Sequence, residues 1–211
     1  KRQAMEDAAD NYTGRRRSVS GLVGGDGMKM RQYCFRGEAM SGGYVSEVIA
    51  EALSMAESNA CMCRIVAAPT AGACGVMPAV LLPLCKYEEL SQHQILEALY
   101  VASGIGAVIA YRACIAGASG GCQAEIGTAS AMAAGALVAL RGGTGEQIGH
   151  AVAMALKNLM GLICDPVAGL VEVPCVKRNV IGAVNAVSVA DMAMAGITSR
   201  IPVDEVIDAM G

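Results

Sequence analysis

Apolar positions recur at helical spacing along most of the chain. In residues 45–56, positions such as Val48 and Leu53 fall on one side of a 3.6-residue helix, and Glu51 and Glu57 face away from that stripe. No window alternates between apolar and polar residues over several successive strands. The pattern therefore predicts an all-α protein.

Two local motifs mark where predicted helices begin. Ser91-x-x-Gln94 and Thr144-x-x-Gln147 both match the capping box, and Gly161 is a typical helix stop. The predicted helices cover residues 41–60, 78–84, 91–114, 123–140, 144–160 and 179–196, and a last helix begins after Pro202.

Four segments without helical spacing lie at the ends of these helices. Three are rich in glycine, at residues 18–27, 70–75 and 117–122, and the fourth, at residues 161–178, is longer, mostly apolar and stiffened by two prolines. An apolar connection of this length is expected to be buried. Because helix N-termini offer unpaired N–H groups, we expect one helical domain over residues 1–211, with the glycine-rich loops and a buried cysteine loop converging on one site.

Composition and charge narrow the class of protein. The chain is 54% hydrophobic and 17% charged, so buried surface dominates, and its net charge of −3 argues against a nucleic-acid partner. The longest uncharged run, residues 65–85, contains Pro69, Pro78 and Pro83, and the other runs are shorter than a bilayer span. We therefore expect no membrane span and a cytoplasmic protein.

Nine cysteines are the chemical feature that stands out in this composition. We expect no signal peptide, and together with the odd number of cysteines this argues against a disulfide framework and favours buried or metal-binding thiols. Cys122, Cys164 and Cys175 lie in glycine- or proline-marked loops, whereas the other six lie mostly in apolar or helical surroundings.

The spacing of these three cysteines leaves two interpretations open. It differs from the close pairs of zinc sites and from the tight runs of electron-transfer clusters. Three dispersed thiolates could hold a [4Fe–4S] cluster with one iron left open as a Lewis acid. Three buried thiols without a metal explain the same spacing.

Several segments resemble a known family. Residues 68–72, 120–127 and 161–175, together with Gly-Gly-Asp at 24–26, are similar to signature segments of the iron–sulfur L-serine dehydratase alpha chain. The resemblance spans almost the whole chain. It implies an all-α catalytic domain, a [4Fe–4S] cluster held by Cys122, Cys164 and Cys175, and a lyase reaction that converts L-serine to pyruvate and ammonia.

The resemblance also implies partners. Members of this family work with a beta chain or a fused beta domain, and a homo-oligomer is a further expectation. Relatives carry additional residues on both sides of the matching region, so residues 1–211 are expected to lack N- and C-terminal extensions.

Candidate substrate-binding groups lie in the glycine-rich loops. Thr70 and Gly72 are the first candidates for binding the substrate carboxylate through N–H and hydroxyl groups, and Gly25 and Asp26 are the second.

The catalytic base is less evident. Lys157 and Asn158 come shortly before the cysteine loop and are the catalytic candidates, while His93 and His150 are more typical of structural positions. Asp165 could orient the loop by accepting hydrogen bonds from its N–H groups.

Other functions stay open at this point. The same cluster chemistry could act on L-threonine or L-cysteine. A pyridoxal-phosphate dehydratase needs an α/β fold, which the pattern does not predict. A helical subunit without catalysis, or a redox-sensing cluster protein, is the alternative outside enzymes.

Overall fold

The computed structural model describes residues 2–211, and within that range the regular elements are all helical. The all-α prediction is confirmed. The helices are α1 (Arg2–Asp10), α2 (Asp26–Phe35), α3 (Gly42–Ala60), α4 (Val76–Tyr87), α5 (Gln92–Arg112), α6 (Gly117–Leu140), α7 (Gly145–Leu159), α8 (Cys175–Met194) and α9 (Val203–Met210), with a short 3₁₀ turn at Val167–Gly169.

Both predicted capping boxes are present. At the start of α5 the Ser91 hydroxyl accepts a bond from the Gln94 N–H at 3.2 Å, and Gln94 Oε1 accepts one from the Ser91 N–H at 2.9 Å. Thr144 and Gln147 make the same reciprocal pair before α7. These bonds satisfy backbone donors that the first helical turn leaves without a partner.

Contacts between Cα positions divide the chain into two compact units. The first contains residues 2–88 and 165–184, and the second contains residues 89–164 and 185–211. Helix α8 begins in the first unit and continues into the second. The expectation of one domain over residues 1–211 stays a prediction.

The first unit is built around α3, which packs against α1, α2 and α4. Leu53 and Ala56 of α3 meet Val23 and Val176, so the first turn of α8 is anchored in this core. Because α3 is buried on most sides, Glu51 and Glu57 are buried as well, although the sequence pattern placed them away from the apolar stripe.

The second unit is built around α6, which packs against α5, α7 and α9. The centre of α6 is made of small side chains, and Ala129, Ala131, Ala133, Ala134 and Ala136 are fully buried. Small residues let neighbouring helices approach closely.

Three local predictions differ from the structure. Residues 26–35 form α2, which the glycine-rich pattern before it obscured. Helix α6 starts at Gly117 rather than at residue 123, interrupted at Gly121 (φ 78°, ψ 177°). Helix α8 starts at Cys175, directly after Pro174, rather than at residue 179, because proline is well suited to the start of a helix.

The prediction that the cysteine loop is buried is wrong. Ile163 is 67% exposed and Val167 is 54% exposed, and of this loop's non-helical residues only Glu172 is buried. The loop folds on itself, since the Val167 N–H donates to the Val173 carbonyl at 2.8 Å. Its backbone therefore obtains a partner without burial of the apolar side chains.

Among the described residues, α5 is the one helix whose length and apolar composition would allow it to cross a membrane. Only 28% of its most apolar 18-residue window is buried, and Tyr100 and Tyr111 are strongly exposed. The core helix of a soluble protein can pass the same test, so the expected absence of a membrane span stays a prediction.

Candidate active site

Two predicted cluster ligands lie in backbone segments that the second unit brings together. The Gln123 N–H donates to the Leu162 carbonyl at 2.9 Å, and Gln123 Oε1 accepts a bond from the Gly161 N–H at 2.8 Å. Cys122 and Cys164 each lie within two residues of this pair of bonds. The start of α6 and the beginning of the cysteine loop are thus fixed to one another.

Gly121 makes this approach sterically possible. A Cβ atom there would lie 2.7 Å from the Leu162 carbonyl oxygen and 3.6 Å from the Cys164 nitrogen. Its φ of 78° and ψ of 177° also belong to a region that only glycine adopts readily. The glycine is needed both for the bend in α6 and for the close approach of the two segments.

A cavity of about 280 Å³ lies beside Cys164 in the second unit. Its small size and glycine-rich wall suit a small ligand or a compact cofactor. It is lined by Ala118, Ser119, Gly120, Gly121, Gln123, Gly161, Leu162, Ile163 and Cys164.

Cys114 lies near this wall, although the sequence pattern placed it among the six cysteines in mostly apolar or helical surroundings. Its sulfur is 3.0 Å from the Ser119 hydroxyl and accepts a bond from the Ala116 N–H at 3.3 Å. The hydrogen bond with Ser119, followed by that from Ala116, lowers the pKa of the Cys114 thiol. The small-residue loop directly after Cys114 was the sequence signal that could have marked this cysteine as a candidate site residue.

Cys175 is the first residue of α8 and lies in the first unit, half-buried. Near it, Arg178 donates to both carboxylate oxygens of Asp165, at 2.5 and 3.2 Å. Asp165 thus closes the ends of the cysteine loop through a bidentate ion pair, and not through the loop N–H groups as expected.

Glu172 attaches the same loop to the glycine-rich segment near the N-terminus. Its carboxylate accepts hydrogen bonds from the hydroxyls of Ser18, at 2.6 Å, and Ser20, and from the Ser20 N–H at 3.4 Å. The hydroxyl of Ser18, and then that of Ser20, lower the pKa of Glu172. Sequence reasoning missed this contact because 152 residues or more separate the partners.

Thr70 and Gly72 lie half-buried in the loop that leads into α4. Asn179 of α8 reaches this loop, donating to the Gly72 carbonyl at 2.8 Å and accepting from the Gly75 N–H at 2.9 Å. The structure therefore links the first predicted substrate-binding loop to the helix that begins with Cys175.

Gly25 and Asp26 form the start of α2, and their N–H groups already have a protein acceptor. They donate to the buried carboxylate of Glu57 at 3.1 and 2.8 Å, and Gly27 donates to it at 3.3 Å. The Tyr12 hydroxyl donates to the same carboxylate, and burial together with this bond raises the pKa of Tyr12. Glu57 thus occupies the anion-binding position at this helix N-terminus.

Lys157 and Asn158 lie exposed on the last turn of α7 in the second unit. Asn158 donates to the Asn185 side chain at 2.8 Å, and Asn185 donates to the Ser130 hydroxyl at 2.9 Å. The structure gives Asn158 a defined partner, and the catalytic role of both residues stays a prediction.

Within residues 2–211, no three His, Cys, Asp or Glu side chains are grouped closely enough to form a metal site. Cys122 and Cys164 belong to the second unit and Cys175 to the first. The chemistry of three thiols nevertheless fits an iron–sulfur cluster, which proteins hold by cysteine thiolates.

Comparison with known proteins decides the family. A family model described as the serine dehydratase alpha chain matches residues 1–211. The chain belongs to the serine dehydratase alpha chain family. The resemblance seen in the sequence is confirmed.

Relatives in this family are similar over most of the chain. The probable L-serine dehydratase alpha chain of Bacillus subtilis (strain 168) is 52% identical over 193 residues, which are 92% of this chain and 64% of that protein. The L-serine dehydratase alpha chain of Peptoniphilus asaccharolyticus is 46% identical over 190 residues, covering 90% of this chain and 65% of its own length.

The family also contains longer proteins. L-serine dehydratase 2 of Escherichia coli (strain K12) is 45% identical over 161 residues, covering 75% of this chain but 35% of that protein. The chain thus spans just under two thirds of these two alpha chains and about a third of the longer relative.

Proposed function

We propose that this chain is the catalytic part of an L-serine dehydratase, which converts L-serine to pyruvate and ammonia. The observation that carries the proposal is the match of the serine dehydratase alpha chain model to residues 1–211. The names of these relatives, at 52% and 46% identity, support the same substrate and the same reaction.

Cys122, Cys164 and Cys175 are the proposed ligands of a [4Fe–4S] cluster. When bound, such a cluster supplies a Lewis acid that makes the substrate hydroxyl a better leaving group. The two hydrogen bonds of Gln123, one from its N–H and one to its side-chain oxygen, support the proposal because they fix the Cys122 segment to the segment that leads to Cys164.

The loop before α4 is the proposed binding site of the substrate carboxylate. Thr70 supplies a hydroxyl, and Gly72 is a position where a ligand can approach the backbone closely. Gly25 and Asp26 are weaker candidates, because their N–H groups already bond Glu57.

Loss of the Cα proton and of the hydroxyl gives 2-aminoacrylate, which tautomerises and then hydrolyses to pyruvate and ammonia. Lys157 is the proposed proton acceptor, and Asn158 is its neighbour on the last turn of α7. A base must lie within hydrogen-bond reach of the proton that it removes, so Lys157 acts in this step only if the substrate binds beside the last turn of α7.

A beta chain is the proposed partner. The two shorter relatives are named alpha chains, and the longer E. coli relative has room for a second part in one chain. Since an open iron site is sensitive to oxygen, we propose that the complex works in the low-oxygen cytoplasm.

The test is a cysteine series in the full-length chain, purified anaerobically with its partner. Cys122→Ser, Cys164→Ser and Cys175→Ser should each lower pyruvate formation by at least about a hundredfold and lower the iron content, because serine is a poor ligand for the cluster. Iron, sulfide and pyruvate are measured on the same samples.

Cys85→Ser is the matched control, since Cys85 lies on α4 in the first unit and is no proposed ligand. It should keep both iron and activity. Iron-free wild-type protein under strict anaerobiosis contradicts the cluster, and faster turnover of L-threonine or L-cysteine than of L-serine contradicts the substrate.

A further inference from the structure

Asn179 makes three hydrogen bonds through one buried amide in the first unit. Its Nδ2 donates to the Gly72 carbonyl at 2.8 Å and to the Cys175 carbonyl at 3.1 Å, and its Oδ1 accepts from the Gly75 N–H at 2.9 Å. The residue is only 1% exposed. One side chain thus bonds both ends of the Gly72–Gly75 turn and the first residue of α8.

The chemistry of this position calls for an amide. Only a side chain with two donor hydrogens and an acceptor oxygen can satisfy two carbonyls and one N–H together. An aspartate of the same shape would keep the acceptor and place its second oxygen against the Gly72 and Cys175 carbonyls. An alanine would leave buried polar groups of the backbone without this partner.

Gly75 lies so close to the Asn179 amide that a side chain would not fit there. A Cβ atom at Gly75 would lie 2.9 Å from Asn179 Oδ1 and 2.8 Å from the Ala52 carbonyl oxygen. The turn therefore packs against the amide at a distance that a larger residue could not reach. The geometry on both sides defines one position for the turn relative to the start of α8.

We propose that Asn179 is a positioning residue that holds the Thr70–Gly75 loop in register with Cys175. The inference rests on the proposed function, in which that loop binds the serine carboxylate and Cys175 is a cluster ligand. Asn179 touches neither the substrate nor the reacting atoms in this proposal. It keeps a fixed separation between the group that binds the substrate and one thiolate that binds the cofactor.

The first measurement uses the full-length wild-type chain and needs no substitution. Because the Gly75 N–H is buried and bonded to Asn179, its hydrogen exchange should be at least about tenfold slower than in an unfolded chain. Exchange at the unfolded rate would overturn the proposal, whatever the variants do.

The second measurement compares Asn179→Ala with Asn185→Ala. Asn185 lies on the same helix, but its side chain bonds Ser130 and Ala155 in the second unit. In the apo protein, iodoacetamide should alkylate Cys175 several-fold faster in Asn179→Ala than in wild type, and Asn185→Ala should not alter this rate. Equal acceleration by both variants would show a general loss of stability and overturn the proposal.

The third measurement is kinetic and uses the loaded complex. Asn179→Ala should raise the KM for L-serine by about tenfold, with a smaller change in kcat, because the carboxylate loop loses its position while the chemistry of the site is unchanged. If the alanine variant does not fold, Asn179→Ser, which keeps a short polar side chain, replaces it.

The proposal and the underlying function can fail separately. A wild-type complex that forms no pyruvate from L-serine refutes the proposed function, while the exchange and alkylation results still decide the role of Asn179. A folded Asn179 variant with wild-type alkylation of Cys175 and wild-type KM refutes the role of Asn179 alone.

Discussion

At the scale of single residues, three buried polar side chains connect segments that are far apart in the sequence. Glu57 accepts bonds from the start of α2, Glu172 from Ser18 and Ser20, and Asn179 bonds the loop before α4. Each has donors or acceptors matched to its chemistry, which is the condition under which burial of a polar group is tolerated.

Glu172→Gln should lower the Tm at neutral pH by a few degrees. The bonds from Ser18 and Ser20 favour the ionised carboxylate and hold its pKa below its usual value of about 4.3. The ionised form therefore stabilises the fold above that pH, and this contribution is lost as the pH falls through the folded-state pKa. The Tm difference between wild type and variant should shrink on acidification.

Thermal unfolding followed by circular dichroism between about pH 3 and pH 7.5 measures this difference. Glu89→Gln, at an exposed glutamate in the second unit, is the control and should change the Tm little at any pH. A Tm difference for Glu172→Gln that stays constant over the whole range would contradict the assignment.

At the scale of helices and loops, the bend in α6 is the feature that builds the site. Without the bend at Gly121, α6 would run straight and Cys122 would be one of several buried residues on a regular helix. With it, the Cys122 segment meets the beginning of the cysteine loop, and Gln123 bonds both sides of that loop start.

Gly121→Ala should destabilise the protein and loosen the site. The backbone conformation alone costs a non-glycine residue about 1–3 kcal/mol, and the added Cβ would collide with the Leu162 carbonyl. The Tm should fall, and Cys122, now 5% exposed, should react faster with iodoacetamide in the apo protein.

Gly142→Ala separates the effect of backbone strain from the effect of the collision between the added Cβ and a neighbouring segment. Gly142 also has a positive φ, of 71°, but a Cβ there would meet nothing within 4 Å. This control should lower the Tm through backbone strain while the reactivity of Cys122 stays at the wild-type level. Equal reactivity of Cys122 in both variants would show that Gly121 has no special role at the site.

At the scale of the whole molecule, the chain forms two units with different core chemistry. The first unit buries carboxylates and an amide among its helices, whereas the second is built around the alanine-rich centre of α6. A core made of small side chains depends on close helix spacing, so added volume has no space to occupy.

Ala134→Leu should therefore lower the free energy of unfolding by about 1–3 kcal/mol, since Ala134 is fully buried at the centre of α6. The control Ala110→Leu adds the same atoms to the exposed side of α5, and should change stability by less than about 0.5 kcal/mol. Urea unfolding of both variants measures the difference. A well-tolerated leucine at residue 134 would contradict close packing around α6.

The sequence by itself determined the helical class, most helix bounds and the family. Helical spacing, the two capping boxes and Gly161 are local signals. Each depends on residues that are close in the sequence, so it can be recognised without knowledge of tertiary contacts. The three cysteines were identified from the loops they occupy and from a family resemblance. Their chemistry is a property of the residue type and needs no folding to be recognised.

Only the tertiary structure decided which distant residues form hydrogen bonds with one another. The burial of Glu57, the Glu172 contact and the Asn179 contact depend on partners that lie 30 to 154 residues away, and no spacing rule reports such pairs. The exposure of the cysteine loop was missed because burial depends on which other segments cover a side chain. The apolar residues of the loop favoured burial, but the loop folds on itself through the bond from the Val167 N–H to the Val173 carbonyl and leaves Ile163 and Val167 exposed.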